Sequence, residues 1–247
     1  MDKANPLKPR SRGIYLLPNL FTTAALFAGF YAITASMAGR FELAAISIFI
    51  AMVLDGLDGR VARMTNTQSE FGAQYDSLAD MLSFGVAPAL VMYTWALIPL
   101  GKLGWLAAFI HAAGGALRLA RFNTQIESAD KRYFQGLPSP AAAAILAGFV
   151  WVAVDLEMTT SQLSWFALVL TISTGLLMVS NFRYSSFKEI NFRGKVPFIV
   201  AIAVMLGFAV IFIQPSVTLF LIFLGYAVSG PVVTLVELRK RRAKRNQ

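Results

Sequence analysis

Long, nearly uncharged apolar runs recur along the whole chain, and they constrain its fold more than any other feature. A membrane-crossing helix needs about 20 apolar residues. Eight segments approach that requirement: Leu16–Met37, Phe41–Arg63, Phe71–Leu100, Leu103–Phe122, Pro138–Val154, Gln162–Asn181, Val196–Ile213 and Ser216–Glu237. Packed into 247 residues, they leave no room for a soluble domain. The runs are continuously apolar and lack the period-2 alternation of barrel strands, so helices are expected. Composition agrees. The chain is 57% apolar and 14% charged, where soluble domains run about 45–50% and about 25%. Disorder is excluded, because disordered chains are poor in apolar residues. The expected fold is all-α: a polytopic membrane helix bundle of about eight transmembrane helices. Phe71–Leu100 is too long for one bare span, and its first third carries aspartates, so it is expected to begin in the aqueous interface.

Lysine and arginine set the orientation of such a bundle. With the N-terminus in the cytoplasm, all but Arg40 and Lys102 of the 22 basic residues fall on the cytoplasmic side. An even number of spans puts both termini there. The organisation expected is a cytoplasmic N-terminal segment over 1–15, a transmembrane domain over 16–237 and a basic cytoplasmic tail over 238–247. Residues 1–13 are not followed by a small-residue cleavage site, so a cleavable signal peptide is not expected. The tail Arg239–Arg245 reads first as a topology anchor and second as a contact for anionic lipid headgroups. A nucleic-acid partner is not expected, since no domain accompanies the run.

The chemistry is bounded by what the chain lacks. There is no cysteine, so disulfides, thiolate zinc sites and cysteine nucleophiles are out. The single histidine, His111, rules out a two-histidine metalloprotease motif, and a hydrogen bond to a neighbouring helix is its expected role. Carboxylates, arginines, lysines and hydroxyls remain. Asp55 and Asp58, at i and i+3, share a face at the end of the second helix, and Asp76 and Asp80, at i and i+4, share a face of the third. The polar turn Met64–Glu70 joins the two helices, so the faces should meet near the cytoplasmic side. Clustered carboxylates at membrane depth are costly without positive charge. Arg60 and Arg63 can supply part of it. An all-oxygen donor set points to a hard divalent cation, Mg2+ or Mn2+, with Ca2+ less favoured. Two such ions would suit in-line displacement at phosphorus. Gly56, Gly59 and Gly72 either let helices pack closely or let a bulky substrate approach the backbone.

Residues 55–80 read DGLDGRVARMTNTQSEFGAQYDSLAD and fit D-x2-D-G-x2-A-R-x8-G-x3-D-x3-D at Asp55, Asp58, Gly59, Ala62, Arg63, Gly72, Asp76 and Asp80. This pattern resembles the signature of the CDP-alcohol phosphatidyltransferase family. Leu17–Thr22 (LPNLFT), Ser77–Ala89, Arg118–Asn123 (RLARFN), Phe134–Ala143 and Ser180–Lys188 resemble that family's bacterial integral-membrane phosphatidylserine synthases, so the likeness covers roughly residues 14–195. The resemblance implies roles. Asp55, Asp58 and Asp76 would hold a pair of divalent cations. Asp80 would touch a metal and act as general base. Gly59, Ala62, Arg63, Ser69 and Gly72, with Asn19 and Thr22 on the first helix, would bind CDP-diacylglycerol. It also implies a cytoplasm-facing site in the bacterial inner membrane, a homodimer, and CDP-diacylglycerol and L-serine as substrates in phospholipid biosynthesis.

Serine needs a partner for its carboxylate. Arg118 and Arg121, one turn apart on the fourth helix, are the first candidates; Arg183 and Lys188 come second. Trp95, Trp105, Trp151 and Trp165 read as an interfacial belt on the opposite side, and Pro138 and Pro140 as the start of the fifth helix. Two other functions fit less well. One is a relative that uses glycerol 3-phosphate, an inositol phosphate or choline as acceptor. The other is a cation transporter, which would place its ion site nearer the midplane between repeats.

Overall fold

The computed structural model describes residues 16–65, 67, 69–125, 133–185 and 198–245. Among these, eight helical rods run in succession: α1 (Leu16–Met37), α2 (Phe41–Thr65), α3 (Glu70–Leu100), α4 (Lys102–Gln125), α5 (Ser139–Asp155), α6 (Thr160–Val179), α7 (Phe198–Ile213) and α8 (Pro215–Arg245). Two short strands, β1 (Tyr133–Gln135) and β2 (Arg183–Ser185), pair antiparallel. The boundaries track the apolar runs, and Pro138 and Pro140 do flank the start of α5. The last helix continues through Arg245 rather than ending before the basic tail.

Five rods (α1, α3, α4, α6 and α8) are long and apolar enough to cross a membrane. The others fall short for identifiable reasons. The C-terminal end of α2 carries Asp55, Asp58, Arg60 and Arg63. The α5 rod has 17 residues and is enclosed by protein, with Ala141 through Val150 all buried. The α7 rod has only 16 residues.

In a lipid environment, tails solvate leucine as well as another helix does, so helices associate through close packing and polar links. The core obeys that rule. Alanines at 28, 32, 35, 44, 45, 51, 143, 144 and 147 line the α1–α2–α5 contact and let backbones approach. Where α4 crosses α6, a Cβ on Gly175 would lie 2.8 Å from the Ile110 carbonyl and 2.9 Å from His111 Cα. Large side chains such as Phe27, Phe30 and Phe212 point outward.

Two tryptophans depart from the belt expected of them. Trp95 is buried, edge-on against Phe149 at 5.5 Å, and Trp151 packs against Phe49 at 5.9 Å. Their indoles fill space between helices that the small-residue core leaves open. Trp105 and Trp165 are exposed.

The α3 rod is not regular. It is α-helical over Glu70–Asp80, π-helical over Met81–Val86, α-helical over Ala87–Met92 and π-helical again over Tyr93–Leu97, and it closes in a 3-10 turn, Ile98–Leu100. Its first residues, Glu70, Phe71, Ala73 and Gln74, are exposed, as fits an interfacial start.

Candidate active site

The α2–α3 connection sets the site. Thr65 and Thr67 hydroxyls bond each other at 2.7 Å, and the Thr67 amide donates to the Ala62 carbonyl at 3.1 Å, tightening the exit from α2. Ser69 then caps α3, its Oγ accepting the Gly72 amide at 3.0 Å. A side-chain cap of this kind satisfies an amide that the first turn leaves orphaned. Tyr75 ties α3 back to α1 through the Thr23 hydroxyl at 2.9 Å.

This hairpin brings the two aspartate faces together. Asp55, Asp76 and Asp80 offer carboxylate oxygens that all lie within 4.8 Å of one another. Asp55 and Asp80 face each other within hydrogen-bonding range, as do Asp58 and Asp76. Asp58 is buried and accepts the Thr22 hydroxyl at 2.8 Å, so α1 also orients the cluster. Asp76 Oδ1 is buried with no hydrogen-bond partner. An unpaired buried carboxylate oxygen is expensive, and four carboxylates this close repel. The donor set fits a hard divalent cation, which accepts oxygen ligands and supplies the missing charge. Asp55, Asp76 and Asp80 are the residues placed to hold it. Asp58, expected among the ligands, faces Asp76 but stands outside this closest trio.

Beside the carboxylates lies a cavity of about 290 Å3. Asn19, Thr22, Gly59, Ala62, Arg63, Ser69 and Gly72, the residues expected to contact CDP-diacylglycerol, all line it, with Asp58 and Asp76 at its inner wall. Thr67 lines it too, and nothing in the sequence distinguishes it from the rest of the polar turn. A Cβ on Gly56 or Gly59 would meet nothing within 4 Å. The close-packing reading of these two glycines therefore fails. For Gly59, which borders the cavity, open backbone beside a ligand site is what remains.

The expected neutralising arginines divide. Arg63 lines the cavity, whereas exposed Arg60 does not. The cation whose field reaches Asp80 is Arg118 of α4. Its Nη1 donates to the Ser139 hydroxyl at 2.8 Å, and its Nε is buried with no partner. Arg121, one turn on, reaches instead toward the Ser180 carbonyl at 3.5 Å. Exposed Arg183 lies on β2; Lys188 falls outside the described residues. Asn123 and Ser77 bond at 3.1 Å, clamping α4 to α3 between Asp76 and Asp80. Both lie in segments that carry the family likeness, although the likeness itself implies no role for either.

A second cavity, about 540 Å3, opens between α2, α5 and α8. Met52, Pro138, Pro140, Ala141, Ile222 and Phe223 make it apolar, and Tyr226 and Ser229 add polar edges. Met52, three residues before Asp55, puts one wall of this cavity on the helix that carries Asp55 and Asp58.

Fold and site together define a class: an α-helical membrane protein with a carboxylate cluster that could hold a divalent cation beside a polar cavity. Comparison with known proteins is more specific. The sequence model of the CDP-alcohol phosphatidyltransferase family matches residues 15–174, and the chain belongs to that family. Several curated relatives bear the name CDP-diacylglycerol–serine O-phosphatidyltransferase. The one from Helicobacter pylori is 38% identical over 231 residues, 91% of this chain and 92% of its own. The one from Methanocaldococcus jannaschii is 38% identical over 183 residues, 74% of this chain and 80% of its own. The one from Bacillus subtilis is 33% identical over 175 residues, 70% of this chain and 92% of its own.

Proposed function

We propose that the protein is a phosphatidylserine synthase, which transfers the phosphatidyl group of CDP-diacylglycerol to the hydroxyl of L-serine and releases CMP. The observation that carries this reading is the juxtaposition at α2 and α3. The Asp55–Asp76–Asp80 cluster borders the cavity formed by the family motif and meets the field of the half-buried Arg118. The names of the relatives supply the acceptor.

The chemistry comes from the residue types. The CDP group would occupy the 290 Å3 cavity, with Arg63 on its phosphates, since a guanidinium fork fits phosphate oxygens. The apolar 540 Å3 cavity suits an acyl chain. The serine hydroxyl attacks the lipid-linked phosphorus and forms a new P–O bond. The P–O bond to CMP breaks, and CMP leaves with the electron pair. Asp80 takes the hydroxyl proton, a contribution within the usual range of about 10²–10⁴-fold for such a base. A divalent cation, Mg2+ or Mn2+ and two per site in the family's manner, would neutralise pyrophosphate charge when bound. Arg118 reads the serine carboxylate. Its unpartnered Nε favours it over Arg121, whose guanidinium is turned to a backbone carbonyl.

The positive-inside count supports a bacterial inner-membrane bundle with both termini and the active site at the cytoplasmic face. A lipid substrate could then enter sideways while serine arrives from water. A homodimer, and a catalytic domain extending over 16–237, complete the reading. The direct test supplies labelled serine to purified protein in micelles containing CDP-diacylglycerol. Label should enter the lipid phase in step with CMP release. Release of CMP without label in lipid would refute serine as acceptor.

A further inference from the structure

Asp80 is the last α-helical residue before the π-helical stretch Met81–Val86. A π stretch changes the rotation between the helical turns on its two sides, and such stretches are frequent at functional sites. Here it sets how the Asp76–Asp80 face is turned relative to the membrane-embedded remainder of α3. Both sides of it are pinned. Ser83 Oγ donates to the Ala25 carbonyl of α1 at 3.1 Å. On the α4 side, a Cβ on Gly115 would lie only 3.2 Å from Gly85 Cα.

One backbone group in this stretch lacks its α-type donor and has the π-type amide of Ala89 as its other in-helix candidate. The α-helical donor for the Phe84 carbonyl would be the amide of residue 88, which is Pro88 and has no N–H. A carbonyl left unpaired away from water is costly in lipid surroundings. His111 on α4, fully buried, places Nε2 3.4 Å from that carbonyl and Nδ1 2.9 Å from the Thr174 hydroxyl of α6. A carbonyl can only accept, so this contact requires the proton on Nε2. In that tautomer Nδ1 accepts from Thr174, whose single hydroxyl proton is shared with the Thr171 carbonyl at 2.9 Å.

We propose that His111 is a positioning residue for the metal carboxylates: by replacing the donor that Pro88 removes, it holds the π-helical stretch that aims Asp76 and Asp80. The proposal rests on the metal reading of the aspartate cluster, and the test separates the two. Mn2+ binding to detergent-solubilised protein without substrates is measured by the electron paramagnetic resonance of free Mn2+. Wild-type protein should bind. His111→Ala should bind about 10–100-fold more weakly, the usual cost of losing a residue that orients metal ligands. His111→Gln, which restores a terminal N–H donor, should recover most of the affinity, and Thr174→Val should weaken it in the same direction as His111→Ala.

Ser216→Ala serves as the structural control, because it removes a buried link to Asp155 at the opposite end of α5 from Ser139. It should lower thermal stability and leave Mn2+ affinity alone. The proposal is overturned by unchanged affinity in His111→Ala, or in Thr174→Val if the alanine variant does not fold. Equal weakening in Ser216→Ala, or no recovery in His111→Gln, overturns it as well. Failure of the wild-type protein to bind Mn2+ would instead remove the metal reading itself.

Discussion

At the residue scale, Asp80 faces Asp55 and feels the field of Arg118. Asp80→Asn keeps its size but would remove both the proposed base and one of the proposed anionic ligands. Turnover should fall by at least about 10²-fold, with the melting profile of the solubilised protein preserved; a near-normal rate would contradict the assigned base. Gly59 gives a different signature. Its Cβ position is open, so Gly59→Ala should fold normally, yet the added methyl borders the polar cavity. Kinetics should show a raised KM for CDP-diacylglycerol with Tm unchanged. For the acceptor, Arg118→Ala should raise the serine KM far more than Arg121→Ala. The aspartates are legible in the sequence because helical spacing assigns residues to faces, whereas the cavity residues follow only from the resemblance of the motif to the family signature. The choice between Arg118 and Arg121 is not legible there. Both lie on one face, and only the Ser139 hydroxyl and Ser180 carbonyl of other elements tell them apart.

At the scale of elements, the apolar runs locate the rods to within a few residues, apart from the C-terminal end of α8, which continues through the basic run to Arg245, but not what covers each one. Composition reports solubility in lipid, and α5 is apolar because protein surrounds it. The π-helical stretches of α3 are hidden in the sequence because their hydrogen-bond shift leaves no change in apolar content. The short β1–β2 pair is hidden too, being three residues per strand inside polar connections. Tyr184 of β2 anchors this pair to α8 by donating to the Ala227 carbonyl at 3.0 Å. Burial, reinforced by neighbouring Tyr226, pushes its phenol up to about 12, so it remains a neutral donor through the physiological range. The α4–α6 crossing yields a stability prediction. Gly175→Ala would drive a methyl into the Ile110 and His111 backbone. Overpacking of this kind costs about 1–3 kcal/mol, and thermal melting in detergent should register a lowered Tm.

At the scale of the whole molecule, the absence of cysteine makes the orientation measurable. A single cysteine placed at Arg40 or Lys102 should react with a membrane-impermeant maleimide in intact spheroplasts. One placed at Arg239 should react only after permeabilisation; the reverse pattern would invert the bundle. Orientation matters because the carboxylates and the polar cavity gather around the α2–α3 hairpin, and the proposed acceptor serine must reach them from one side. The account stands on what this gathered site does. The most direct measurement is CMP release by the purified protein from CDP-diacylglycerol across a panel of acceptors, with Mg2+, Mn2+ or chelator. Release that requires both L-serine and a divalent cation is the predicted result. Release driven equally by glycerol 3-phosphate, or undiminished by chelation, would contradict it.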